Sequence, residues 1–168
     1  AADQLTGTGN PFGGQLLHVQ DSVASGGGAQ GLTALTYNTR RLQTVKTNEI
    51  AGASLSSNQI TLPAGTYHIE ANTTATTQSN SGSQGVQPRV RNITAGTTLL
   101  VGMTGWSFVI GGGASQPMDA HCFVRGRFTL SVTSVLELQT YVSGVAAILG
   151  GTSMSSGDAE VYADVMIW

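Results

Sequence analysis

The stretch Asn58–Thr77, NQITLPAGTYHIEANTTATT, decides the reading of the fold. Asn58 to Leu62 is short and rich in β-branched residues, the composition of a strand. Pro63-Ala64-Gly65 then makes a tight turn, with proline restricting φ and glycine free to take a positive one. From Thr66 the chain alternates, with Tyr67, Ile69, Ala71 and Thr73 on one face and His68, Glu70, Asn72 and Thr74 on the other. A period of two sustained over this length predicts a long strand whose two faces meet different surroundings.

The composition agrees with a chain of many strands joined by turns. Only 10% of the 168 residues are charged, against roughly a quarter in an average soluble protein. Glycine, serine, threonine and asparagine take up that share. One domain is the natural reading of this length, with a single core. A net charge of −2 points neither to nucleic acid nor to an anionic membrane. No apolar run approaches the roughly 18–20 residues of a membrane span. Cys122 is the lone cysteine and is expected to be a small buried apolar residue. The sequence starts at Ala1 rather than Met and shows no positively charged apolar leader, which leaves a processed or excised fragment open.

Taken in order, residues 1–14 are polar and aperiodic and read as a linker or docking arm, with the domain proper spanning 15–168. Strands are expected at Gln15–Gln20, within Leu32–Thr47, and at Asn58–Leu62, Thr66–Thr77, Val86–Ile93, Thr97–Met103, Ala120–Val132, Val135–Ser143 and Glu160–Trp168. Pro88 argues for a sheet edge or a bulge in its strand. Ser25–Gly28 is a flexible loop rather than a phosphate loop, since no lysine and no helix follow. Thr104–Pro117 reads as a long loop in which Trp106–Ile110 can add a small strand. With no helix signal of useful length, the class is all-β.

The Pro-x-Gly-x-Tyr turn and the long strand after it resemble the C1q/TNF-like jelly-roll domain. Further runs extend the resemblance over residues 15–168: LLHVQD, NEIAGASLSSNQITLPAGTY, RVRNITAGTTLLVG, VRGRF and EVYADVMIW are similar to runs in C1q-like domains of bacteriophage and prophage fibres and spikes. The collagen-like stem of C1q proteins and most of their aromatic signature are absent. The resemblance implies a jelly-roll sandwich of about ten antiparallel strands, assembled as a homotrimer about the sheet that holds the A, C, F and H strands.

Two surfaces follow. Tight turns fall at Pro63–Gly65, Thr94–Gly96 and Thr133–Ser134, and long connections at Gln78–Gly85, Thr104–Pro117 and Gly144–Gly157. In an antiparallel jelly roll these two sets occupy opposite ends, with Trp168 at the tight-turn end. The long-loop end is the candidate tip, with Asn80, Gln84, Trp106 and Phe108 as ligand-binding residues. The alternative for Trp106 and Phe108 is that they fold inward and close the end of the sandwich. The second surface is the outer face of the C, F and H strands, which correspond here to Thr66–Thr77, Ala120–Val132 and Glu160–Trp168. If Cys122, Val124, Phe128, Leu130 and Val132 point inward, then His121, Phe123, Arg125 and Arg127 point out. With Val161, Ala163, Val165 and Ile167 inward, Tyr162, Asp164, Met166 and Trp168 point out, beside His68 and Glu70. Such a stripe marks an interface, and Glu70 and Asp164 are the expected partners of Arg125 and Arg127.

Catalytic chemistry finds no support. There is no Gly-x-Ser-x-Gly, and His18, His68 and His121 lack His-x-His or His-Glu-x-x-His spacing. No catalytic residue, cofactor or metal is assigned, although a meeting of the histidines at a threefold axis stays open. Glu70 and Glu137 lie on different strands with no sign of paired acid–base work, and the matches to glycosylation acceptors at Asn72 and Asn92 are of a kind common by chance. The expected function is a trimeric structural and attachment module of a phage-like virion, docking to other virion proteins through the arm and binding a host-surface glycan or protein at the loops. A secreted or cell-surface C1q-like, lectin-like binding domain is the runner-up, and a jelly-roll enzyme acting on glycans the third reading.

Overall fold

A computed structural model describes residues 15–77, 83–110, 116–144 and 148–168. The expected arm, residues 1–14, lies outside these. The described chain forms strands β1 (Leu17–Val23), β2 (Gly31–Leu32), β3 (Tyr37–Thr39), β4 (Thr44–Asn48), β5 (Ser54–Ser56), β6 (Gln59–Leu62) and β7 (Gly65–Thr77). These are followed by β8 (Ser83–Asn92), β9 (Thr97–Val101), β10 (Gly105–Ile110), β11 (Gln116–Met118), β12 (Ala120–Leu130), β13 (Ser134–Val142), β14 (Ile148–Leu149) and β15 (Glu160–Ile167).

They pair into two antiparallel sheets. The first runs β4-β1-β15-β7, with β12 along the other edge of β7 and β14 pairing the end of β7 at Thr76 and Thr77. The second runs β5-β6-β13-β8-β10-β11, with β3 on β13 and β9 on β8. The quoted stretch does not close as a hairpin: β6 pairs with β5 and β13 in the second sheet and β7 with β12 and β15 in the first, so the turn at Pro63–Gly65 carries the chain from one sheet to the other. The two faces of β7 form as read: Tyr67, Ile69, Ala71 and Thr73 are buried, while Asn72 is exposed and His68, Glu70 and Thr74 are half-buried. The inward residues of both sheets make a main core that includes Leu17, Leu62, Ile69, Val90, Val124, Leu136 and Val165. A smaller cluster toward the long connections holds Leu32, Ala75, Val86, Ala120, Cys122, Val142 and Ile148. Cys122 is buried there, and burial pushes its thiol pKa up.

Several expectations are corrected. Pro88 is not at an edge: β8 lies between β13 and the β9/β10 pair. The ladder on that side is interrupted opposite Pro88, whose carbonyl accepts from Gly102 N at 2.8 Å, because proline has no N–H to offer. Gly102 allows this close approach, since a Cβ there would lie 2.4 Å from the Phe123 carbonyl oxygen. The connection Thr104–Pro117 is largely a hairpin of β10 and β11 rather than a loop. Val132, expected inward, is 57% exposed, because β12 ends at Leu130 and the chain turns. Val161, expected inward, is also exposed, and Tyr162, expected outward, is buried. Asp21 pairs with Ala163 and Ser22 with Val161, so Tyr162 is the extra residue of a bulge and every side chain before it changes face.

A buried cation sits at that bulge. Arg40 follows β3, and its N–H donates to Leu138 O of the second sheet at 2.8 Å. Its Nη2 donates to Tyr162 O at 3.0 Å and Gly150 O at 3.1 Å in the first. The Thr74 hydroxyl donates to the same two carbonyls. Burial lowers the Arg40 pKa to about 10 against the favourable charge of Asp21, which leaves the guanidinium charged at neutral pH. Replacing Arg40 with alanine leaves the two carbonyls with Thr74 alone, leaves Asp21 with Arg41 alone and empties the space the guanidinium fills; urea denaturation should show a loss of about 3–5 kcal/mol, the usual cost of breaking a buried charged network.

A second fastening holds the connection before β15. Glu160 Oε1 accepts from Ser155 N at 2.7 Å, Ser153 Oγ at 3.0 Å, Met154 N at 3.1 Å and Gly26 N at 3.3 Å. The Ser155 amide foremost, opposed by desolvation and joined by the other donors, holds the carboxyl below its ordinary 4.5. A depressed carboxyl pKa contributes stability above the unfolded value that is lost as pH falls through the folded one. The gap in thermal midpoint between the native chain and Glu160→Gln should therefore be widest near neutrality and close as pH drops below 4.5.

Candidate interaction surfaces

Strand register assembles the outer face of the first sheet row by row. One row reads Gln20, Asp164, Asn72, Phe123; the next His18, Met166, Glu70, Arg125; the last Trp168, His68, Arg127. Of the predicted interface residues, His68, Glu70, Phe123, Arg125, Arg127, Asp164, Met166 and Trp168 thus share one face, and Tyr162 leaves it through the bulge. Phe123, Met166 and Trp168 are half-buried. His68 and Trp168 exchange backbone hydrogen bonds of 2.8 and 3.1 Å, and their rings stack with centroids 5.0 Å apart.

The expected arginine–carboxylate pairs do not form within the chain. Asp164 Oδ1 instead accepts from Gln20 Nε2 at 2.7 Å and meets His18 Nε2 at 2.7 Å. Glu70 lies opposite Arg125 in register, yet its ion-pair contact is His68 at 3.9 Å. Arg125 sits over the Phe123 ring, 5.3 Å from its centroid. Both arginines are exposed, and neither has an ion-pair partner among the described residues. Long arginine side chains on an open face gain little by holding a carboxylate at the cost of rotamer freedom.

The same bulge opens a depression on this face. β15 pairs with β7 only as far as Ala163 opposite Thr73, beyond which β7 pairs with β14. A hollow of about 260 Å³ results, lined by Asn72, Thr74, His121, Phe123, Val161 and Asp164 among others. Among the described residues no group of three or more His, Cys, Asp or Glu side chains is placed to hold a metal.

At the far end the described parts of the long connections come together. Thr152 donates to Asp119 from N at 3.1 Å and Oγ1 at 2.9 Å, and Gly85 N donates to Ser143 Oγ at 2.8 Å. Of the predicted tip residues, Asn80 lies outside the described residues. Gln84 is not available to a ligand: it is 2% exposed and packs so tightly on Gly144 that a Cβ there would lie 2.4 Å from Gln84 Cδ. Trp106 and Phe108 do not fold inward; they are 60% and 39% exposed. The Trp-Ser-Phe alternation was a legible strand signal, but only pairing with β8 decides that Ser107 faces in and the aromatics out.

No family model matches the chain, and no curated protein matches it. Among solved structures it is similar to murine APRIL in a crystal at pH 8.0, with a TM-score of 0.50 and 9% identity over 91% of this chain and 97% of that one. Crystals of the same murine protein at pH 8.5 and pH 5.0 give TM-scores of 0.49 and 0.47 at 10% identity. The chain has the TNF-type jelly-roll fold. In this jelly roll Arg40, Glu160 and the bulge at Tyr162 escaped the sequence reading, since each depends on partners more than a hundred residues away or on a loop's path.

Tyr162 separates face from core experimentally. Its hydroxyl donates to Gly27 O at 2.8 Å inside the fold. Tyr162→Phe should lower the unfolding free energy by about 1 kcal/mol in urea denaturation and leave the oligomeric state unchanged in light scattering.

Proposed function

We propose that this chain is a non-enzymatic, homotrimeric structural and attachment module of a bacteriophage-like virion, part of a head or tail fibre or spike. Copies associate through the outer face of the β1-β15-β7-β12 sheet, and the long-connection end meets the host surface. Residues 1–14, which precede the described chain at the tight-turn end, dock to other virion proteins.

The observation that carries this reading is the chemistry of that sheet face. It combines half-buried Phe123, Met166 and Trp168 with Arg125 and Arg127, which have no carboxylate partner among the described residues. Apolar area beside unsatisfied charge suits a neighbouring copy that covers the first and pairs the second. Polarity of the molecule supports the rest. Gln15 and Trp168 line one shallow pocket with Pro63 and Ala64, so the arm's attachment point lies opposite the long connections. Threefold repetition of a weak contact at that far end gains avidity on a repetitive host surface.

Light scattering should give the mass of a trimer at micromolar concentration, and Phe123→Glu should dissociate or misfold it, because an unpaired buried charge costs several kcal/mol. A monomeric native chain would sink the assembly. Removing residues 111–115 should leave assembly intact and reduce adhesion to host cells; unchanged adhesion would assign attachment to another protein.

A further inference from the structure

We propose that the outward face of the β10–β11 hairpin, centred on Trp106 and Phe108, is a binding platform for neutral glycans. This rests on the reading that the long-connection end meets the host, and it names the ligand class and the residues.

The platform is built rather than incidental. Trp106 lies opposite Gly85 and Phe108 opposite both Ser83 and Met118 in register. Phe108 and Met118 are 39% and 44% exposed, beside a Trp106 that is 60% exposed. Ser107 between the aromatics is buried, its Oγ accepting from Thr77 N at 3.0 Å and Thr77 Oγ1 at 3.1 Å and donating to Met118 O at 2.7 Å. Those bonds stop the strand from rolling, so both rings are held outward, with no ring partner among the described residues. Gly85 leaves the backbone bare beneath the indole: a Cβ there would lie 3.7 Å from Trp106 Cζ2 and 3.0 Å from Ser143 Oγ.

The surroundings select the occupant. Ser83, Ser143 and Thr104 are exposed hydroxyls around the aromatic pair, and Gln87 adds an amide that donates to Thr104 Oγ1 at 3.0 Å. No charge competes. Asp119, next to Met118, is turned to Thr152 on the other side of the hairpin. Arg89, further along β8, is spent on Gln139 Oε1 at 2.8 Å and on the Tyr37 ring, 3.4 Å from its centroid. Aromatic faces rimmed by hydroxyl and amide groups suit the C–H faces and hydroxyls of uncharged sugar rings. Two ring-bearing residues about 7 Å apart along a strand match one or two sugar units, far short of the roughly 800 Å² per partner of a stable protein interface.

The test is a printed array of neutral oligosaccharides built from hexoses and N-acetylhexosamines, with sialylated and sulfated glycans on the same slide, probed with the full chain as it assembles in solution. A retained neutral oligosaccharide is then titrated by calorimetry. Trp106→Ser and, separately, Phe108→Ser should each weaken it about tenfold or more, the effect of roughly 1.4 kcal/mol, while Trp106→Tyr keeps most of the binding and shows that the site still folds. Retention of charged glycans alone, no retention, or binding indifferent to both serine variants overturns the proposal. So does a change of oligomeric state in Trp106→Ser, which would make the patch a contact between copies. If the native chain adheres to host cells yet retains no neutral glycan, the ligand class is wrong and attachment by this end stands; if adhesion is also absent, both readings fall.

Discussion

The buried guanidinium of Arg40 is the constraint on which much of this jelly roll depends. It reaches from the strand edge of one sheet to two carbonyls in the other, and it is fully excluded from solvent. A charge in that position is costly unless its surroundings are arranged around it. The arrangement is visible: Asp21, ion-paired to Arg41 Nε at 2.7 Å, adds a favourable charge, Gly150 lacks a side chain where a Cβ would lie 2.7 Å from Arg40 Nη2, and Thr74 shares the same carbonyls. Tyr162, whose carbonyl accepts from Arg40, is the extra residue of the bulge.

That bulge links core chemistry to the surface. It moves Tyr162 inward, turns Val161 outward and ends the β7–β15 pairing, so the hollow beside Phe123 and His121 lies above a cation it never touches. The outer face thus divides in two. Below the bulge, regular register lines up apolar and charged side chains in rows; above it, the sheet parts and a depression takes their place. A partner surface meeting this face must fit both.

The two ends of the sandwich are fastened differently. At the tight-turn end, short connections are held by bonds such as Ile93 N to Val135 O at 2.8 Å and Tyr67 hydroxyl to Pro63 O at 3.0 Å. At the other end, single polar groups act as collectors: Ser107 Oγ makes three hydrogen bonds and Glu160 Oε1 accepts four. Collectors of this kind let long connections keep a defined path without a large apolar core of their own, which leaves side chains such as Trp106 free to face outward.

Local alternation by itself determined the all-β class, the long strands, the turn at Pro63–Gly65 and the inward set from Tyr67 to Thr73, because a period of two and turn chemistry are properties of neighbouring residues. It also placed Phe123, Arg125 and Arg127 on one face. Tertiary structure decided what depends on distant partners. Tyr162 and Val161 carry no local mark of the bulge at which Arg40 bonds the Tyr162 carbonyl; Pro88 is tolerated inside a sheet only because the facing ladder breaks at Gly102; and Arg125 stands opposite Glu70 without pairing to it. Trp106 faces outward while Gln84, expected beside it at the tip, is buried, for the same reason. Which of two alternating faces is buried is settled by the sheet that packs beneath them, and that sheet is assembled from residues far away in the chain.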